Sequence, residues 1–512
     1  MNFIFISPQF PTNYYHFCAE LKNNGVNVLG IGDSAYDSLP YSLKNVLTEY
    51  YKVESMENNG QMMRAVAYFT FKYGRIDWLE SNNEYWLTQD ARLRTDFHIT
   101  SGFQLNEIET FKSKKHMKEY YKKAGVPAVE CYKIGSREGC FSFAAKYGYP
   151  IVVKPDNGVG AQNTYRISND QELDQFFAET DREGYLAEPY VDGTICSYDA
   201  IINSKGDVLF ESGNVTPVSI MDIVNNKADA YFYIEKQLPD DVRDAGRRCV
   251  KAFDVKSRFI HFEFFRLNKD MPGVANKGEI IALEVNMRPS GGFTPDMLNY
   301  ANSTNVYKIW ADMIAFDRCT LSEYADKFYC IYVGRRDCNP HKNAHNEILS
   351  RYRANITMSD RMPAVLAQGM GDQMYIAKFS EKDQMEAFLQ YVIAWQKRGD
   401  CLDCKTANRM MVPFLEGALS LEETDHFLKH IKECSGCRED LEIYYTVRTA
   451  IDGMDQDRFK TYNLKQQFEH DMSQVARQVR AGLFIQWLHH IALTAATVAA
   501  AAVSMLQIMR WF

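Results

Sequence analysis

The chain has 512 residues, of which 46% are hydrophobic, 24% charged and 13% aromatic, so it is globular, not disordered, and too long for one core. A net charge of -8 argues against a general nucleic-acid binder, which would carry a basic patch. Its 12 cysteines sit mostly singly and cluster only in the tail, a pattern that fits a reducing compartment with one metal site.

The start, MNFIFISPQF, lacks a basic region and a cleavage site, so it does not read as a signal peptide. Residues 2–7 and 26–32 are strand-like runs around the helical HFCAELKNNG, a β-α-β opening of a parallel α/β domain. The first turn, SPQFPTNYY, has no glycine fingerprint, which argues against a dinucleotide site there. IDWLESNNEYWLTQDARLRTDF reads as a strand, an acidic loop with Glu80 and Glu84, and an amphipathic helix.

Residues 113–127 form a helix ending at Gly125, with Lys114 near its start. Next, YPIVVKP is a short apolar strand ending in Lys154. The loop after it carries Gly158 and Gly160, which let backbone amides approach a phosphate. Residues 185–193, YLAEPYVDG, are a strand running through Glu188 into Tyr190 and Val191. CSYDAIINSKGDVLFESG is a hairpin turning at Lys205 and Gly206.

Two further strands carry polar residues at period two. FIHFEFF sets His261 and Glu263 on one face, and ALEVNMRPSGG does the same for Glu284, Asn286 and Arg288. Their neighbours are apolar, and a buried carboxylate needs a partner. Paired as a hairpin, Glu263, Glu284 and Asn286 supply the hard oxygen ligands that Mg2+ takes. The region 316–397 adds strands FYCIYV and MYIAKF and the helix EKDQMEAFLQYVIAW, expected to form a lid.

These stretches together resemble the ATP-grasp carboxylate–amine ligases over residues 1 to about 400. The resemblance implies an α/β ATP-grasp fold with a Rossmann-like domain before it. It also implies ATP and two Mg2+ ions as cofactors, and small-molecule carboxylate and amine substrates joined through an acylphosphate. Lys114, Lys154, Gly158 and Gly160 would hold the phosphates, and Glu188, Tyr190 and Val191 the adenine through backbone groups. Glu263, Glu284 and Asn286 would bind magnesium, with Arg288 as the catalytic residue on the transferring group. Ile195 stands where the family places a carboxylate for the ribose, which leaves Asp199 or another acid for that contact.

In the tail, His430-x3-Cys434-x2-Cys437 has the spacing of a tetrahedral zinc site, with Cys404 as the natural fourth ligand and Cys401 as its competitor. This C-x25-H-x3-C-x2-C pattern resembles the zinc-binding anti-sigma factor domain and implies structural Zn2+ and a protein partner for the zinc domain. Residues 491–509 carry no charge and would span about 28 Å as a helix, the length of a transmembrane anchor. Trp487 and Trp511 flank that run, and Arg477 and Arg480 precede it, which predicts a single-pass C-terminal helix at the cytoplasmic face of the membrane.

The expected organisation is a pre-ATP-grasp domain (1–105), a nucleotide-binding domain (106–315), a lid subdomain (316–398), a zinc-binding helical domain (399–446), a helical linker (447–485) and the anchor (486–512). The function expected is a membrane-tethered, Mg-dependent ligase. The alternative is a membrane-bound nucleotide-sensing regulator whose zinc domain binds a sigma factor.

Overall fold

A computed structural model describes residues 1–157, 163–179, 184–218, 223, 227–322, 326–395, 402, 404–455, 465–482 and 485. The chain divides into two compact units, Met1–Gln396 and Lys397–Phe512.

In the first unit, strands Asn2–Ile6, Asn27–Gly32, Glu49–Lys52 and Trp78–Glu80 form a parallel sheet. Asn2–Ile6 lies inside it, between Asn27–Gly32 and Trp78–Glu80. Phe3 and Phe5 pack on one side with Phe17 and Trp310, and Ile4 and Ile6 on the other with Met62, Val66 and Phe69. Both faces are therefore covered, which is why the run reads as continuously apolar and not as alternating. The helix Asn59–Tyr73 supplies Met62, Ala65, Val66 and Phe69 at helical spacing, and Asn58 caps it by accepting from the Gln61 N–H at 3.1 Å.

Among the described residues a nine-stranded antiparallel sheet forms the middle of this unit. Its edge is the hairpin of Ile280–Asn286 with Arg258–Leu267, followed by Gly193–Ile202, Asn214–Thr216 and Ala230–Ile234. Val208–Ser212 pairs back onto Gly193–Ile202 through a turn at Gly206, whose φ of 86° suits a residue without a side chain. A third, smaller antiparallel sheet holds Tyr132–Lys133, Tyr185–Pro189, Ile151–Pro155 and Tyr165–Ile167.

The region expected as a lid holds the strands and the helix read from its sequence. Tyr329–Arg335, Gln373–Phe379 and Ile356–Arg361 continue the nine-stranded sheet. The helix Lys382–Val392 covers them through Met385, Phe388 and Val392. The strands were readable, but their partner lies about a hundred residues upstream, at Ala230–Ile234.

The second unit is helical where described. Helices Cys404–Leu415, Leu421–Glu433 and Ser435–Asp455 enclose Ala407, Met411, Phe427, Ile431, Leu441 and Phe468. Ser420 and Glu423 form a capping box at the start of the second helix.

The expected C-terminal transmembrane helix is corrected here. Among the described residues no helix is long and apolar enough to cross a membrane, and residues 491–509 themselves lie outside the described residues. The anchor rested on the hydropathy of an alanine-rich run, a composition that buried helices share, and on flanking Trp and Arg residues, and the expected placement at a membrane face depended on it.

Candidate active site and metal centre

The small sheet and the edge of the large sheet face one another across a cavity of about 610 Å³. Lys114, Lys154, Glu188, Tyr190 and Val191 line it from one side, and Ile195, His261, Glu263, Glu284, Asn286 and Arg288 from the other.

The two lysines are brought together by Asp156, just past the strand that carries Lys154. Its carboxylate accepts from the Ser113 hydroxyl at 3.0 Å and from the Lys115 N–H at 3.2 Å. Ser113 is itself the N-cap of helix Lys114–Lys123. The helix start is thereby tied to the strand end, and Lys114 comes within 3.5 Å of the Asp156 carbonyl. Both lysines are buried.

Glu188 lines the cavity, and its side chain is engaged by two lysines. Its carboxylate is clamped by Lys154 at 2.7 Å and Lys118 at 2.8 Å. Burial pushes its pKa up, but the two ammonium groups outweigh this and hold it at about 2. The Lys154 ammonium is correspondingly raised despite its burial. Tyr190 lies at the cavity with the Arg166 guanidinium 4.4 Å from its ring centroid.

On the opposite wall three strands align their polar residues in two rows. Glu263 stands directly across from Glu284 on one side and Ser197 on the other, and His261 across from Asn286 and Asp199. His261 meets Asp199 through Nδ1 and Glu263 through Nε2, both at 2.8 Å. Burial disfavours its imidazolium, but Asp199 and Glu263 reverse this and raise its pKa to about 10. Asp199 also accepts from the Ser197 hydroxyl at 2.5 Å and is wholly buried, so it is not placed to reach a ribose. Glu284 is raised by burial and by the facing Glu263 charge. Two acids opposed in this way favour a cation between them, so these donors fit a divalent metal. Asn286 accepts from Arg288 at 3.3 Å, and Glu84 lies 3.5 Å from the same guanidinium.

Glu80 does not line the cavity. It is held by Arg258 at 3.0 Å and Arg94 at 3.3 Å, an ion-pair cluster buried between the parallel sheet and the large one. Gly158 and Gly160 lie outside the described residues. Lys118 went unnoticed in the sequence although it follows Lys114 by one helical turn. Ser197 and Asp199 were likewise readable as a period-two pair matching His261 and Glu263.

In the second unit the ligand atoms of Cys404, His430, Cys434 and Cys437 all lie within 4.8 Å of one another. Cys404 opens the first helix, His430 lies in the last turn of the second, Cys434 follows that helix as its C-cap, and Cys437 lies in the first turn of the third. Both ring nitrogens of His430 are buried without a hydrogen-bond partner, as a metal-binding imidazole without its ion would be. This is a Cys3His zinc-binding site. The structure brings Cys404 into it; Cys401 lies outside the described residues.

Comparison with known proteins agrees with both units. Residues 113–194 match the family model "Carbamoyl-phosphate synthase L chain, ATP binding domain", and residues 404–438 match "Putative zinc-finger". An L-arginine-specific L-amino acid ligase of Bacillus subtilis is 25% identical over 282 residues, 53% of this chain and 64% of that protein. The chain thus spans just under two thirds of the length of that curated relative. Among solved structures, L-amino acid ligase from Bacillus licheniformis superposes with a TM-score of 0.56 at 16% identity, covering 77% of this chain and 99% of that one. Phosphoribosylglycinamide synthetase from Anaerococcus prevotii gives 0.52 at 14%, covering 77% and 97%. The first unit has the ATP-grasp fold. It resembles the carboxylate–amine ligases of that class, and the second unit resembles the zinc-finger domain expected in the tail.

Proposed function

We propose that the first unit is a Mg-dependent ATP-grasp ligase that joins an amino acid, through its carboxylate, to an amine. The observation that carries this reading is the opposition of Glu263 and Glu284 across one hairpin, facing two buried lysines in a single cavity. A sensor that only bound nucleotide would have no need of both carboxylates beside Arg288.

In this reading Lys114 and Lys154 neutralise the ATP phosphates, and Lys118 and Glu188 hold Lys154 in place. Tyr190 and Val191 bound the adenine end of the cavity. Glu263, Glu284 and Asn286 would hold magnesium, which supplies charge neutralisation on the transferring phosphoryl group. Arg288 binds and orients the substrate carboxylate, whose oxygen attacks the γ-phosphorus as ADP leaves. The amine then attacks the acyl carbon, phosphate leaves with the electron pair of the broken C–O bond, and the amine proton passes to solvent. The amino-acid class of substrate is supported by the two L-amino acid ligases among the relatives.

The test is Glu284→Gln, which removes a charge at nearly constant size. ADP release with a pool of amino acids should fall about 10²-fold or more while the fold is kept. Turnover at the wild-type rate in that variant would refute the magnesium assignment.

A further inference from the structure

We infer that the carboxylate substrate carries an apolar side chain, bound against a wall made by Phe232, Met370, Ile223 and Ala230. This rests on the ligase reading above and specifies its substrate.

The wall begins where the carboxylate site ends. Four residues past Arg288, Gly292 lies under Met370: a Cβ there would meet the Met370 Cε at 3.0 Å and Sδ at 3.2 Å. Met370 is held by its carbonyl, which accepts from the Tyr332 hydroxyl at 2.8 Å. Tyr332 in turn stacks on Phe232 at 4.9 Å between ring centroids and 15° between planes. Phe232 and Met370 face the cavity together with the buried Ile223 and Ala230. A continuous chain of contacts thus runs from the Arg288 turn to an apolar surface.

The charged groups described around this wall are occupied elsewhere. Asp229, next to Ala230, accepts from the Arg336 N–H and the Asn339 amide, both at 2.9 Å, and meets His341 Nε2 at 2.7 Å. The Arg336 guanidinium donates to the carbonyls of Ala228 at 2.7 Å, Ala367 at 3.4 Å, Ile223 at 3.5 Å and Gln368. Neither residue lines the cavity. Among the described residues the acids that do line it are Glu188, Asp192, Glu263 and Glu284. Glu188 is clamped by lysines, Asp192 is bonded to Asn268 and Lys269, and the other two form the metal pair. A guanidinium or a second carboxylate placed against Phe232 and Met370 would be desolvated with no counter-charge among the described residues, whereas an aliphatic, thioether or aromatic side chain gains by leaving water.

The experiment measures ADP release by the full-length chain with ATP, Mg2+ and one amino acid at a time, alanine being present as the common amine. Leucine, methionine and phenylalanine should give kcat/KM about 10²-fold or more above arginine and glutamate. Phe232→Glu should raise the arginine-to-leucine ratio about tenfold, and Phe232→Leu should leave the preference in place. Arginine or glutamate working as well as leucine would overturn the inference and leave the ligase reading standing. An unchanged ratio in a folded Phe232→Glu would overturn the wall. ADP release with no amino acid at all would overturn both.

Discussion

Replacing Glu188 by Gln tests the electrostatic construction of the nucleotide side of the cavity. In the wild type, burial would raise this carboxyl, but Lys154 and Lys118 lower it from 4.5 to about 2. At neutral pH that difference corresponds to about 3 kcal/mol in favour of the folded, ionised form. The figure needs little discount for solvent, because Glu188 is only 6% exposed. Glutamine keeps the shape but leaves the buried Lys154 ammonium without its anion, while the half-buried Lys118 keeps its bond to the Val129 carbonyl at 2.8 Å, a change that costs about 3 kcal/mol. The sign of the pH effect is fixed by the direction of the shift. A depressed carboxyl stabilises above its unfolded value and loses that stabilisation as pH falls from about 4.5 toward about 2. Urea unfolding of both proteins at several pH values between 2.5 and 7, taken as a difference curve, isolates this group from other titrating acids. The difference should be near 3 kcal/mol at pH 7 and shrink through that acid window. A difference under about 1 kcal/mol at pH 7, with no dependence on pH, would refute the clamp.

Glu80→Gln should destabilise the first unit by about 3 to 5 kcal/mol in urea, because Arg94 and Arg258 lose their common partner in a buried place. The KM values for ATP and amino acid should stay near wild type under native conditions; a specific loss of substrate binding would mean that Glu80 reaches the cavity. Purified protein should contain about one equivalent of zinc, lost when Cys434 and Cys437 are both replaced by Ser, with the tail losing helicity by circular dichroism. A metal-free tail that keeps its helical signal would show that the four ligands do not depend on an ion.

Residues that act through local spacing were legible in the sequence, and those that act through distant partners were not. The period-two strip of Glu284, Asn286 and Arg288 needs only the pleat of one strand to share a face. The His430, Cys434 and Cys437 spacing needs only one helix end and one turn. Glu188 shows the opposite case. Its position next to Tyr190 and Val191 suggested a backbone contact to the nucleotide and said nothing of its carboxylate, which is taken by Lys118, seventy residues earlier on a helix whose amphipathic pattern gives no sign of that pairing. The same holds for Glu80, an acid in an apparently open loop that meets Arg258 178 positions away.

This difference explains why the apolar wall stayed invisible until the sheet was assembled. Phe232, Met370 and Gly292 come from three separated stretches, and each alone is an unremarked hydrophobic or turn residue. They meet because Tyr329–Arg335 inserts between Ala230–Ile234 and Gln373–Phe379, putting Tyr332 opposite Phe232 in register and its hydroxyl on the Met370 carbonyl. The strands of the region expected as a lid therefore support, from behind, the Phe232 and Met370 side chains that line the cavity. The segment joins the upstream sheet through one antiparallel ladder, Tyr329–Arg335 on Ala230–Ile234, and moving it away would break those backbone hydrogen bonds. If the apolar wall selects the substrate as proposed, substitutions at Tyr332 should alter the choice of amino acid through Phe232 and Met370 without touching Lys114 and Lys154.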